Sequence, residues 1–291
     1  QLSGPQGVAR DGSGNIYVAD TTNHRVQKFT SGGAFTSKWG SFGTGNGQFD
    51  SPRAVAVGPS SRIYIADTNN HRIQVFNNIG TFQAVVCSGQ GSGDGQCYYP
   101  EGVAVDGSGN IFVSDTYNHR IQKFNSFGVF QLAWGGYGTS TGRLNYPRGI
   151  AVDASGKVYV TDTSNDRIQV FDNNGVFLDM WGGTGSAVGE FSSPDGVIVD
   201  GSGNVYVSDT SNHRIQKFNS SGVFLLSWGG YGSSTGQFSS PQGLAYDGSG
   251  NIYVADAGNN RIQSYTGDGL FLSGWGGGST GSATGRLSYP Q

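Results

Sequence analysis

Short apolar runs, separated by clusters of Gly, Asn, Asp and Ser, recur along the whole chain. In the run that starts at Ile16, the side chains of Ile16 and Val18 point to one face and those of Tyr17 and Ala19 to the other. Neither face carries a charge, which predicts a strand buried on both sides. The stretch 102–134 shows the local order. Gly102-Val103-Ala104-Val105 is followed by the turn Asp106-Gly107-Ser108-Gly109-Asn110 and a second strand, Ile111-Phe112-Val113-Ser114. A third strand covers Arg120-Ile121-Gln122-Lys123-Phe124 and a fourth lies around Phe130 to Trp134. Gly, Asn and Asp supply the positive φ and local hydrogen bonds that such tight turns need. No 3.6-residue apolar period occurs, so the class is all-β.

This four-strand unit repeats. DGSGNIYVAD stands at 11–20 and unchanged at 247–256, with variants at 58–67, 106–115, 153–162 and 200–209. Pro5, Pro52, Pro100, Pro147, Pro194, Pro241 and Pro290 mark one register at intervals of 47 to 49 residues. Four such strands cannot bury two apolar faces alone, whereas units packed face to face around an axis can. The expectation is a six-bladed β-propeller, with four antiparallel strands per blade and one sequence repeat per blade. It forms a single domain over 1–291, with repeats 5–51, 52–99, 100–146, 147–193, 194–240 and 241–289. Gln1 to Gly4 are too few to donate a strand, so blade six is expected to close on blade one by face packing alone. Gly285-Arg286-Leu287-Ser288-Tyr289-Pro290 duplicates the linker before Pro5, which places the termini side by side. A chain that begins at Gln1 and ends inside a linker is expected to be part of a longer protein.

Composition narrows the function classes. Of 291 residues 51 are Gly, only 13% are charged, and the net charge is −3. That balance disfavours a phosphate-tracking surface, and no apolar run reaches the length of a membrane span.

Asn23-His24-Arg25 recurs as Asn70-His71-Arg72, Asn118-His119-Arg120 and Asn212-His213-Arg214, with degenerate copies Asn165-Asp166-Arg167 and Asn259-Asn260-Arg261. An aspartate precedes each arginine by five residues, giving the pairs Asp20/Arg25, Asp67/Arg72, Asp115/Arg120, Asp162/Arg167, Asp209/Arg214 and Asp256/Arg261. With the P-x-G-V-A-V-D, V-A-D and N-H-R-I-Q segments, the chain resembles the NHL-repeat family over essentially its whole length. The resemblance implies the six-bladed propeller. It leaves function open among RNA reading, ligand sensing outside the cell, and a related metal-dependent lyase chemistry.

Six-fold repetition marks the Asp/Arg pairs as scaffold. The four histidines stand one per blade on a wide ring and do not converge on one ion, so each is expected to cap its own blade's loop. No cofactor and no metal site are expected. Asp11, Asp106, Asp153, Asp200 and Asp247 end the first strands; they could ring a calcium ion or, more commonly for Asp before Gly, bond their own turns. Cys87 replaces the Gly after the outer-strand Trp, Cys97 replaces the linker Phe, and Val86 takes the Trp position. Joint substitution in one linker predicts a Cys87–Cys97 disulfide, worth roughly 2–3 kcal/mol by chain entropy, and with it an extracellular or cell-surface location.

Binding is expected where the repeat varies, on the face shared by the blade-to-blade linkers and the Asp-Thr-x-Asn-His turns. The post-proline residues Gln6, Arg53, Glu101, Arg148, Asp195 and Gln242 should rim the channel there. Tyr117, Tyr137 and Tyr231 join them, among linker aromatics that also include Phe42, Tyr98, Tyr99 and Tyr146. Aromatic and mixed-charge groups together suit a protein, peptide or glycan. The reading is a monomeric, non-enzymatic scaffold without membrane insertion. The alternatives are an RNA-binding propeller and, behind it, a lyase-like enzyme.

Overall fold

The computed structural model describes residues 1–277. Pro290 and the duplicated segment 285–290 lie outside the described residues. Six four-stranded antiparallel sheets follow one another in chain order, each built from one repeat. The third blade, for example, comprises Pro100–Val105, Ile111–Asp115, Arg120–Phe124 and Phe130–Gly135, close to the strand bounds expected from sequence. Helical geometry in the described residues is confined to three-residue 3-10 turns such as Thr116–Asn118.

The second strands are buried along their whole length, and their two faces feed separate cores between neighbouring blades. One core joins Tyr64, Ile73 and Val75 to Val103, Ile111 and Phe124. The ring closes through an equivalent core of Ile262, Tyr253 and Trp275 against Val8, Ile16 and Phe29. Face packing is not the whole closure, however. Leu2 is buried in that core, and the Gly4 N–H donates to Asn260 Oδ1 at 2.7 Å. The N-terminal residues therefore do the work of a linker at the seam.

The first strands crowd the central axis. A Cβ on Gly102 would lie 2.0 Å from the Arg148 carbonyl oxygen of the next blade, so only glycine permits this approach. In five blades the pairing slips between the proline and the residue three positions later, as between Pro147 and Ile150, and in blade three between Pro100 and Gly102. The slip takes the post-proline residue out of the ladder and presents it to the channel.

The disulfide is present, with Cα atoms 5.5 Å apart. Its logic is steric. In blade one the Phe49 ring lies where a Gly40 Cβ would be, 2.5 Å away. With Cys97 in place of that ring, the glycine position can carry a side chain, and Cys87 occupies it at φ 53°.

Candidate functional site

The repeated polar motif is a clamp for linkers. Asp115 is fully buried. Its Oδ2 accepts from Arg120 Nε at 2.7 Å and Gln122 Nε2 at 2.9 Å, and Asn118 Nδ2 reaches both oxygens. Its Oδ1 accepts from the Tyr98 backbone N–H at 2.7 Å. That N–H belongs to the preceding linker. Arg120 then donates to the carbonyls of Ser92, Gly93 and Gln96, while Gln122 bonds the Gln96 carbonyl and the Gly95 N–H. Arg–Asp distances of 2.6–2.7 Å recur in all six blades. In blade one, the only carbonyl Arg25 reaches is that of Gln1, and Gln27 Oε1 is buried without a partner among the described residues.

Each histidine caps its own blade's turn through its backbone N–H, as expected, and its side chain also grips the following linker. His24, His71, His119 and His213 accept through Nδ1 from the backbone N–H of Ser51, Tyr99, Tyr146 and Ser240 at 3.0–3.1 Å. Asp166 and Asn260 do the same through Oδ1, from Ser193 and Gly4. All six sit at φ 50–56°. The position therefore asks for left-handed backbone and one acceptor, which His, Asp and Asn all supply. An Nδ1 acceptor is the neutral imidazole. Burial lowers the pKa of His71 and His119, against the opposing pull of Asp115 on both and of Asp67 and Asp162 respectively. The linker position beside three of the four histidines is aromatic, and it is Gln90 in the blade of His71. Phe42, Tyr137 and Tyr231 pack on His24, His119 and His213 with ring centroids 4.9–5.0 Å apart. Where Asp166 replaces His, Thr184 replaces the aromatic and donates to it at 2.7 Å.

These clamps position the side chains of the linker face. The residue before each proline is held at φ near 50°, including Tyr99 and Tyr146 at 48°, a conformation that disfavours non-glycine residues. Their rings consequently converge on Tyr117. Tyr99 and Tyr146 lie 4.8 and 5.1 Å from it, and Tyr98 lies 5.6 Å away. His71 and His119 flank the group, and Tyr137 extends it past His119. The result is a continuous aromatic platform over blades two and three. Tyr117 is 44% exposed and Tyr137 72%. Tyr231 is equally open but stands apart, touching only His213 among the described aromatic rings.

Beside the platform, the post-proline residues form a charge ladder across the channel mouth. Arg53 Nη1 lies 2.9 Å from Glu101 Oε1, Glu101 Oε2 lies 3.0 Å from Arg148 Nε, and Arg148 Nη1 lies 3.1 Å from Asp195 Oδ2. Two cations thus meet two anions, and the ladder is neutral. Glu101 is the most buried of the four; burial raises its pKa, against Arg148 and Arg53, which lower it. Gln6 lines the same mouth, a cavity of about 80 Å³, without joining the ladder. Gln242 occupies the matching place in blade six.

The first-strand aspartates serve their hairpins. Asp11 Oδ1 accepts from the N–H of Ser13 and Asn15, and its Oδ2 from Asn15 Nδ2 and the Tyr17 hydroxyl. Asp106, Asp153, Asp200 and Asp247 repeat the backbone part. Among the described residues, no group of three or more His, Cys, Asp or Glu side chains is placed to hold a metal ion, and no helix is long and apolar enough to cross a membrane.

Solved structures share this fold. A streptogramin B lyase matches with TM-score 0.67 at 16% identity, over 93% of this chain and 82% of the other. A gluconolactonase from Xanthomonas campestris gives 0.65 at 16%, over 88% and 84%. A chain of a nidogen/laminin complex gives 0.60 at 18%, over 77% and 79%. At these identities the likeness concerns the fold alone. A search of curated protein sequences finds no match. The NHL repeat profile matches residues 2–29, 49–76, 98–124, 144–171, 191–218 and 238–265, and with the clamp motif at the matching place in every blade, the chain belongs to the NHL-repeat family.

Proposed function

We propose that this propeller is a non-enzymatic recognition scaffold that binds a protein, peptide or glycan on its linker face. The observation that carries the reading is the aromatic platform around Tyr117. Its rings are half-exposed, fixed from below by backbone clamps, and bordered by a ladder that neutralises its own charge. Rigid tyrosines bury much area at small entropic cost and keep a polar edge. A ligand of low net charge with flat apolar faces, such as a sugar ring or an aromatic-bearing peptide, matches that surface. The neutral ladder argues against a phosphate backbone, which needs unpaired cations. The conserved geometry of the histidines argues for scaffold over catalysis, because every Nδ1 is committed to a linker N–H. The disulfide favours an oxidising compartment, hence an extracellular or cell-surface setting.

Glycan and peptide arrays probed with the propeller test this reading, followed by titration of the best hit. The Tyr117→Ala variant should then lose at least tenfold in affinity, about 1.4 kcal/mol. Arg148 is a poorer probe, since its loss leaves the buried Glu101 with one cation fewer. A hit whose affinity collapses with added salt would support the RNA-binding reading instead. Turnover of an array ligand would support an enzyme.

A further inference from the structure

We propose a second ligand site, on the edge opposite the linker face, in the groove between blades two and three: a slot for an indole-sized planar aromatic acid. In five blades the outer strand ends on a tryptophan, Trp39, Trp134, Trp181, Trp228 or Trp275. Each lies on the next blade's hairpin glycine; a Cβ added at Gly80 would come within 2.8 Å of the Trp39 ring. Each also packs between an aromatic of its own second strand and one of the next blade's third strand, as Trp39 does between Tyr17 at 6.1 Å and Phe76 at 6.0 Å.

Blade two keeps these walls and lacks the ring. Tyr64, Phe124 and Gly128 stand where Tyr17, Phe76 and Gly80 stand around Trp39, but the tryptophan position is Val86. A cavity of about 220 Å³ results, lined by Tyr64, Val75, Val86 and Gly128, among others. Two further departures from the repeat reach the same cavity. Phe127, 89% exposed, stands on its lip, where the other blades have Gly, Ile, Asn, Ser or Asp. Arg62, in a hairpin whose leading aspartate has become Gly58, stands at its mouth. The Arg62 side chain has no carboxylate partner among the described residues, and its one hydrogen bond is a long one to the Ser126 carbonyl at 3.4 Å. The loss of that aspartate also leaves the Tyr64 hydroxyl without the acceptor that Tyr17, Tyr159 and Tyr206 have.

Five occupied copies of the slot within one chain show what fills the sixth. The ring nitrogens of all five tryptophans are buried without hydrogen bonds. The slot therefore reads the shape of a flat bicycle, not an N–H, while the free guanidinium at the mouth adds a preference for a carboxylate. Apolar cavities of this kind take up aromatic guests when access is open.

Calorimetric titration of the oxidised protein with indole-3-acetate tests the site. Saturable binding is expected, with 1-naphthylacetate within a few-fold of it. The variant Val86→Trp, which restores the residue of the other five blades, should abolish binding while raising Tm. Arg62→Gln should weaken the acids several-fold and leave plain indole unchanged. Absence of saturable binding to the wild type, or equal binding to Val86→Trp, would overturn the site. An unchanged affinity in Arg62→Gln would overturn the carboxylate preference.

Discussion

Removal of one clamp carboxylate, Asp115→Ala, should cost the propeller far more than a surface substitution. Asp115 is fully buried and takes hydrogen bonds from four groups: Tyr98 N, Asn118 Nδ2, Arg120 Nε and Gln122 Nε2. The alanine leaves Arg120 Nε and the Tyr98 N–H without their acceptor and removes one partner each from the Asn118 and Gln122 amides. Breaking a buried pair from one side costs about 3–5 kcal/mol. At roughly 2 °C per kcal/mol for a chain this large, Tm should fall by about 6–10 °C. Asp115→Asn keeps the shape but replaces one accepting oxygen with an NH2 donor that faces other donors, so it should recover only part of the loss. Asp209→Ala, in a clamp of the same geometry, should cost the same. Urea denaturation of the four proteins, with slopes compared to check that the unfolded states match, gives the values. A loss below about 1 kcal/mol for Asp115→Ala would refute the clamp as a stabilising device. Because Asp115 holds the Tyr98 N–H, the same variant should also weaken any ligand of the platform.

Two other outcomes follow from the same geometry. Folding favours neutral His71 and His119, whose pKa values lie below the ordinary 6.5; their contribution is complete above about pH 6.5 and is lost as pH falls through the folded values. Melting curves from about pH 7.5 down to 5 should show that loss, and His71→Asn with His119→Asn, copying Asn260, should remove it; an unchanged pH profile would contradict the acceptor role. Reduction of Cys87–Cys97, which closes a separation of 10 residues, should cost about 2–3 kcal/mol. Cys87→Gly, Cys97→Phe and Val86→Trp together should restore stability under reducing conditions, and a triple variant still destabilised by this amount would refute the steric equivalence.

Much of this architecture is legible in the chain. The strands announce themselves because residues such as Ile16 to Ala19 are apolar on both faces, and the proline register counts the blades. The disulfide could be seen because Cys87 and Cys97 change together at positions that are Gly and Phe elsewhere. What could not be read depends on distances between repeats. Arg53, Glu101, Arg148 and Asp195 look like scattered charges until neighbouring first strands bring them within ion-pair reach. Tyr117, Tyr99 and Tyr146 become one platform only because left-handed backbone turns the latter two inward, while Tyr231, which shares the Trp-Gly-Gly-Tyr-Gly segment of Tyr137, meets only His213 among the described aromatic rings. The histidine role had a signal that went unused: His, Asp and Asn interchange at one position, and all three tolerate left-handed backbone and offer an acceptor.

The linker-face claim is tested most directly by comparing Tyr117→Ala with Tyr231→Ala in affinity for one array-identified ligand. The two changes remove the same chemistry from the same face, one inside the platform and one outside it. The account predicts at least a tenfold loss for Tyr117→Ala and less than a twofold change for Tyr231→Ala. Equal losses, or a loss confined to Tyr231→Ala, would contradict it.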